Sequence, residues 1–143
     1  MANERNHPIK FLFQLLVYPF LDMRGVSDSN KKYTDTPMWN SSLSSRIDKM
    51  TKVDKTNPNY VYYSPVEAEN FDFYPPAYIE TAEFDCLHDD GIIFAQLLKD
   101  AGVDVVINHT QGTIHGFDIK QNAPTTKQAI EKRVEFIGKF FVK

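Results

Sequence analysis

The chain has one cysteine, Cys86, so it cannot form an intrachain disulfide or a cysteine-rich zinc module. It also lacks a long apolar segment. Its longest apolar run, residues 11–20, is interrupted by Gln14 and Pro19 and is too short to span a bilayer. The N-terminal segment MANERNHPIK lacks the apolar core that a signal peptide needs. These absences predict a cytoplasmic protein with no membrane span.

An excess of positive charge is missing as well. Sixteen Lys and Arg residues stand against nineteen Asp and Glu residues, which gives a formal net charge of −3. Proteins that bind nucleic acid usually have a basic face and a high isoelectric point, whereas the isoelectric point here is about 5.8. We therefore expect no nucleic-acid partner.

The composition that is present is that of a globular protein with one core. Hydrophobic residues make up 42% and charged residues 24% of the 143 residues, so we expect a single domain covering residues 1–143. The aromatic content of 13% is high, and such rings need a core, a pocket or an interface to bury them.

Three segments have the pattern of β-strands. Residues 9–19 form a nearly continuous apolar run that ends at Pro19, residues 75–85 open with two prolines, and residues 103–110 are rich in β-branched side chains. Continuous apolar runs are typical of strands that are buried on both faces of a parallel sheet. A helix between two such strands implies a parallel crossover, so the fold class is α/β.

Two segments have the pattern of helices that flank this sheet. Residues 88–102 carry apolar side chains at three- and four-residue spacing, with Asp89 and Asp90 at the end where the helix dipole is positive. A final helix is predicted from Pro124 to near Lys143. One face of it carries Ile130, Val134, Ile137 and Phe141.

Residues 22–74 form an insertion between the first two strands. Thr36 and Pro37 resemble an N-cap followed by proline at the first helical position, and Leu43, Ile47 and Met50 share one helical face. The segment is rich in aromatic residues, which include Trp39. A helical cap over a pocket and a plain surface excursion both fit this pattern.

Asp85 and His115 are the candidate catalytic pair. Asp85 ends the second strand and His115 lies in the loop after the third, and parallel strands bring the groups at their carboxyl ends to one edge of the sheet. An aspartate that orients a histidine acting as general base needs this proximity. The alternative is that Asp85 caps the following helix and His115 is an ordinary loop residue.

Four segments resemble the hormone-sensitive-lipase-like branch of the α/β-hydrolase esterases. They are QLLVYPFLD (14–22), SPVEAENFDFYPPAYI (64–79), ETAEFDCLHDDG (80–91) and GTIHGF (112–117), in family order. The chain departs from the family motif at Cys86, where proline is usual, and at His88, where arginine is usual.

The resemblance implies a partial α/β-hydrolase fold with about three parallel strands, flanking helices and a helical cap insertion at residues 22–74. It assigns the catalytic acid to Asp85 and the catalytic base to His115, with Trp39 and Phe117 as candidate substrate-binding residues. The implied reaction is hydrolysis of carboxylic esters, typically with short to medium acyl chains. This chemistry needs neither a metal nor an organic cofactor.

The family's serine nucleophile lies in a G-x-S-x-G turn, and this chain contains no such motif. None of its seven serines has a glycine both two residues before and two residues after it, and no two glycines are adjacent, so an oxyanion motif of the His-Gly-Gly type is missing too. We therefore expect the C-terminal portion of a serine esterase, with acid and base but no nucleophile. The alternatives are a non-catalytic remnant or interaction module, and one half of a split esterase acting with an N-terminal partner chain.

The strand of residues 11–18, from Phe11 to Tyr18, would be an unpaired apolar edge in such a half-sheet. Edge strands of this kind are templates for association. We expect self-association, or binding of an N-terminal half, through this strand, with an ester substrate bound only when the nucleophile half is supplied.

Other chemistry-bearing residues have weaker patterns. Cys86 is a possible nucleophile beside Asp85, although a half-buried structural thiol fits better. A metal site built from Asp85, His88, His109 and His115 lacks the short helical spacing of metal motifs. His7 is expected to be uninvolved and His109 to be structural or solvent-facing. We expect three basic residues to form the solvated face of the final helix: Lys127, Lys132 and Arg133.

Overall fold

A computed structural model describes residues 9–51 and 53–141, which contain a three-stranded parallel sheet in the order β1-β2-β3. The strands are β1 (Gln14–Val17), β2 (Ala77–Ala82) and β3 (Val105–Thr110). In register, Gln14 lies opposite Ala77, and Ala77 lies opposite Val105. With helices beside this sheet, the predicted α/β class with about three parallel strands and flanking helices is confirmed.

The first strand is shorter than the predicted run of residues 9–19. Its pairing begins where the Gln14 N–H donates to the carbonyl of Pro76. Pro75 and Pro76 have no N–H to offer, so the ladder does not extend toward Phe11. The strand ends where Tyr18 takes a left-handed backbone conformation with φ of +50°. Of the predicted edge strand, only residues 14–17 therefore pair with β2.

Four α-helices accompany the sheet in the described ranges: α1 (Asp28–Lys32), α2 (Ser41–Thr51), α3 (His88–Asp100) and α4 (Pro124–Gly138). Short 3₁₀ helices occupy Pro58–Tyr62, Pro65–Glu67 and Phe117–Ile119. The predicted start of α2 at Pro37 is wrong, because the side chain of Asn40 accepts the Leu43 N–H and begins the helix at Ser41. The helix α1 has no counterpart among the predicted elements.

The helix α3 confirms the prediction for residues 88–102 and packs closely on β2. A Cβ atom at Gly91 would lie 2.6 Å from Cγ2 of Thr81, so glycine is required for this approach. Phe94 and Leu98 enter the core as expected, whereas Ile93 is largely exposed. The main core cluster joins this helix to β2 and to residues of the segment between β1 and β2; it contains Leu21, Val66, Phe71, Ala77, Ile79, Phe94, Ala95 and Leu98.

The helix α4 turns a different face to the sheet than the sequence predicts. Thr126, Ala129 and Phe136 are buried, whereas Val134 and Phe141 are 62% and 67% exposed. Ile130 is exposed as well. The helix ends at Gly138, and the predicted end near Lys143, like His7, lies outside the described residues.

Two buried aspartates join the start of the insertion to α3. Asp90 accepts hydrogen bonds from the backbone N–H of Asp22 at 3.2 Å and from the hydroxyl of Ser27 at 3.3 Å. Burial, together with the negative charge of Asp22, raises the pKa of Asp90 to about 7. Arg24 pairs with Asp22 at 2.8 Å. The segment after β1 is therefore held to the N-terminal turn of α3 through Asp90.

The raised pKa of Asp90 predicts a specific pH dependence of stability. Asp90 binds a proton more tightly in the folded chain than in the unfolded chain, where its pKa is near the ordinary value of 3.8. Its contribution to the free energy of unfolding is therefore largest below about pH 4 and is lost as the pH rises through about 7. From about pH 5 to about pH 8, we expect the free energy of unfolding to fall less for Asp90→Asn than for the parent chain. Urea unfolding at the two pH values measures both changes. Asp104→Asn, at an exposed position, is the control; if both variants follow the parent curve, the prediction is wrong.

Candidate active site

The structure brings Asp85 and His115 together, as the topology predicts. Asp85 lies three residues after β2 ends and His115 five residues after β3 ends, and the two loops are tied by a 2.9 Å hydrogen bond from the Phe84 N–H to the carbonyl of Thr113. His115 Nδ1 then lies 2.7 Å from Oδ2 of Asp85. Adjacent parallel strands thus place an acid and a base, thirty residues apart in sequence, in direct contact.

The surroundings of Asp85 determine which nitrogen of His115 carries the proton. Asp85 is only 1% exposed, and its other oxygen accepts the backbone N–H of Leu87 at 3.0 Å. An ionised carboxylate can only accept hydrogen bonds, so Nδ1 of His115 is the protonated nitrogen and Nε2 keeps its lone pair. Asp85 therefore orders the turn that leads into α3 and also orients His115.

Two aromatic rings contact the imidazole of His115. The Trp39 ring stacks on it with a centroid distance of 5.6 Å, and the Tyr18 ring lies 5.2 Å away. Phe117 packs edge-on against Tyr18 at 5.5 Å. Of the two candidate substrate-binding residues, Trp39 contacts His115 directly, whereas Phe117 reaches it through the Tyr18 ring. Trp39 comes from the insertion of residues 22–74, which thus reaches the site.

A left-handed turn at Gly116 directs the chain away from His115. Its φ is +70°, which side chains rarely permit, and a Cβ atom there would lie 3.6 Å from the Met38 side chain. The positive φ therefore favours glycine after His115, and Met38 of the insertion lies at an ordinary contact distance from this position.

The sequence predictions missed a buried charged group that contacts Tyr18 and the loop of His115. The carboxylate of Glu80, fully buried on β2, accepts hydrogen bonds from Nη2 and Nε of Arg133 at 2.5 and 3.2 Å. The same guanidinium donates to Asp118 at 2.9 Å and to the Tyr18 hydroxyl at 3.4 Å. The prediction that Arg133 lies on the solvated face of α4 is wrong, because its side chain is only 16% exposed. The sequence did contain a signal for this group. Glu80 lies in a strand expected to be buried on both faces, and a buried carboxylate needs a cation as its partner.

Cys86 does not have the surroundings of a nucleophile. The side chain is fully buried, and burial, with the negative charge of Asp85, raises the pKa of its thiol to about 12. We expect iodoacetamide to alkylate Cys86 extremely slowly in the folded chain, with about a thousandfold less thiolate than an ordinary thiol. The urea-unfolded chain is the internal control because Cys86 is the sole cysteine. Equal alkylation rates in the two states would contradict the prediction.

His88 and His109 belong to a separate hydrogen-bonded set. His88 Nδ1 lies 2.8 Å from Oδ1 of Asp89, and His88 Nε2 lies 3.0 Å from Nδ1 of the exposed His109. Burial raises the pKa of Asp89, but hydrogen bonds from His88 and the Ser29 backbone outweigh this and lower it. Within residues 9–51 and 53–141, no group of three or more His, Cys, Asp or Glu side chains is arranged to hold a metal ion.

No serine completes the pair in the described part of the chain. All seven serines lie there, and none forms a hydrogen bond with His115. Several are used elsewhere; for example, the hydroxyl of Ser44 accepts the Trp39 indole N–H at 2.9 Å.

Comparisons with known proteins agree with this geometry. A family model described as "alpha/beta hydrolase fold" matches residues 1–119. Esterase LipI of Mycobacterium tuberculosis is 34% identical over 108 residues, which are 74% of this chain and 33% of that protein. Among solved structures, "Bacterial Heroin Esterase" superposes with a TM-score of 0.90 at 27% identity, covering 99% of this chain and 46% of that one. A Pyrobaculum calidifontis esterase superposes with a TM-score of 0.83 at 27% identity, covering 100% of this chain and 47% of that one.

The chain thus spans about a third to a half of the length of these relatives. No helix in the described ranges is long and apolar enough to cross a membrane. Strand order, the Asp85–His115 contact and the family match agree with one another. The chain belongs to the α/β-hydrolase family, in its carboxylesterase and lipase branch, as the resemblance to hormone-sensitive-lipase-like esterases predicts.

Proposed function

We propose that this chain supplies the acid and the base of a serine carboxylesterase whose nucleophile lies outside these 143 residues. The observation that carries the proposal is the 2.7 Å hydrogen bond between His115 Nδ1 and the buried carboxylate of Asp85. Relatives named as esterases support the reaction class. The lack of a G-x-S-x-G motif supports a nucleophile outside the chain.

The geometry supports a proton-shuttle role for His115. Nε2 of His115, with its lone pair free, takes the proton of the attacking serine hydroxyl and later returns it to the leaving alcohol. Asp85 keeps Nδ1 protonated and stabilises the imidazolium that forms between these two steps. The donors that stabilise the oxyanion lie outside the chain together with the serine.

The aromatic residues around His115 support binding of an apolar acyl or alcohol group. Trp39 and Phe117 form apolar surface beside the pair, and Trp39 belongs to the insertion of residues 22–74. That insertion acts as part of a cap over the ester. The acyl group of the ester is expected to be short to medium in length. No cofactor takes part in this proposed reaction.

The open edge of β1 supports association with further polypeptide. In the described ranges β1 pairs with β2 alone, and Leu12, Val134 and Phe141 expose large apolar side chains. We expect light scattering to show that the purified chain self-associates, because an open apolar edge and exposed apolar side chains favour burial. A second copy or an N-terminal half would cover them. A monodisperse monomer at high concentration would contradict self-association.

The function is tested first on the chain alone. We expect no labelling by a serine-directed fluorophosphonate, and turnover of a short-chain nitrophenyl ester equal to that of His115→Ala. Labelling together with His115-dependent turnover would mean that one of the seven serines has been recruited, and the proposed location of the nucleophile would be wrong.

The decisive test is a chimera in which this chain replaces the matching 46% of the bacterial heroin esterase. We expect the chimera to hydrolyse the nitrophenyl ester and to be labelled by the fluorophosphonate. A folded chimera that lacks turnover would refute the assignment and favour the non-catalytic interaction module.

A further inference from the structure

We infer that Arg133 is a positioning residue for His115, acting through Asp118 and Tyr18. The inference rests on the proposed function, because it concerns the same base. It assigns a role to the buried charged group formed by Glu80, Arg133 and Asp118, which the proton-transfer steps do not use.

The first step is that Glu80 holds the guanidinium of Arg133 in one place. Glu80 is fully buried, and besides Arg133 it accepts the Tyr78 hydroxyl at 2.9 Å and the Asn108 amide at 3.0 Å. The two donors of Arg133 meet both oxygens of this carboxylate, which is the bidentate geometry that a planar fork favours. The arginine is therefore anchored to the central strand.

The second step is that the third nitrogen of the guanidinium, Nη1, anchors the loop after β3 that carries His115. Nη1 of Arg133 donates to Asp118 at 2.9 Å, and Asp118 lies three residues after His115. Between them, the left-handed turn at Gly116 fixes the course of the chain. The loop is therefore held at two points. Asp85 binds His115 before the Gly116 turn, and Arg133 binds Asp118 after it.

The third step is that the same guanidinium supports the ring against which His115 packs. Nη2 lies 3.4 Å from the Tyr18 hydroxyl, and the Tyr18 ring lies 5.2 Å from the imidazole. Tyr18 has a φ of +50°, a conformation that non-glycine residues keep only when contacts hold it. Its N–H donates to the Glu80 carbonyl at 3.0 Å, so Tyr18 and Arg133 are both anchored at Glu80.

Arginine suits this role better than lysine does. A lysine ammonium would keep the charge opposite Glu80, but it has no rigid fork that reaches Glu80, Asp118 and Tyr18 at once. Arg133→Lys therefore separates the positioning role from simple charge neutralisation.

The test measures the tautomer of His115 in the full 143-residue chain by ¹⁵N NMR of labelled imidazoles above neutral pH. The four histidines are few enough to assign, with His115→Gln identifying the signal. We expect the parent chain to show the form protonated at Nδ1. Arg133→Lys and Asp118→Asn should shift His115 toward the mixed tautomers of a solvated ring and weaken its contact with Tyr18. Arg46→Lys, at an exposed arginine of α2, should leave the spectrum unchanged.

The outcomes separate positioning from a structural role. If Arg133→Lys only lowers the melting temperature while the His115 signals stay those of the parent, the inference is overturned. Asp118→Asn leaves the Glu80 pair in place and decides the question even where Arg133→Lys fails to fold. The measurement needs no nucleophile, so an inactive chimera would refute the proposed function without affecting this result.

Discussion

Replacing His115 by alanine in the chimeric esterase is expected to lower kcat by about 10⁴- to 10⁶-fold. Without Nε2 no group accepts the proton of the attacking serine or returns it to the leaving alcohol. The change is measured as nitrophenyl ester turnover, with His109→Ala as the matched control because His109 is exposed and belongs to the set with His88 and Asp89. Loss of turnover in both variants would point to a folding defect.

Asp85→Asn is expected to lower kcat in the same chimera by about 10⁴-fold while changing KM little. The asparagine amide can donate to Nδ1, which favours the tautomer protonated at Nε2, and that tautomer cannot accept the serine proton. Asp104→Asn at an exposed position is the control. If Asp85→Asn retained parental turnover, Asp85 would be only the group that orders the turn into α3 through Leu87.

Replacing Arg133 by methionine is expected to destabilise the chain by about 3–5 kcal/mol, because it leaves the carboxylate of Glu80 buried without its counter-charge. Glu80 is fully buried and Arg133 nearly so, and solvent therefore screens the pair little. Urea unfolding of the parent chain, Arg133→Met and Arg46→Met measures the difference, and the exposed Arg46 should change the free energy of unfolding little.

The double variant Glu80→Met/Arg133→Met separates the cost of an unpaired charge from the loss of packing. Removing both charges removes the cost of the unpaired carboxylate, so we expect part of the lost stability to return. The return is incomplete because the buried Tyr78 hydroxyl and Asn108 amide lose their acceptor. If the double variant were as unstable as Arg133→Met, an unpaired Glu80 would not be the cause.

The sequence was sufficient for the elements whose pattern is local and strong. The apolar runs, the three- and four-residue spacing in α3 and the proline at the start of α4 predicted the strand and helix order. Because strand–helix–strand units are parallel, that order also predicted the meeting of Asp85 and His115. Topology brings the two residues to one edge of the sheet, and the loop contact from Phe84 to Thr113 completes the approach to 2.7 Å.

The ends of the elements depended on partners that local patterns do not show. The strand β1 is four residues long because Pro75 and Pro76 cannot continue the ladder, although its own sequence favours a longer strand. In α2, a proline at position 37 indicated a start that Asn40 overrides with a side-chain hydrogen bond to Leu43.

What only the tertiary structure decided is which face of α4 meets the sheet. Ile130 and Val134 of its apolar stripe are exposed, as is Phe141 beyond its end, while Arg133 turns inward together with Ala129 and Phe136. Two requirements meet on that face: the buried carboxylate of Glu80 needs a cation, and Phe136 packs against Tyr78 of the central strand at 5.6 Å. Sequence patterns rank faces by hydrophobicity alone, whereas the fold must also neutralise a buried charge.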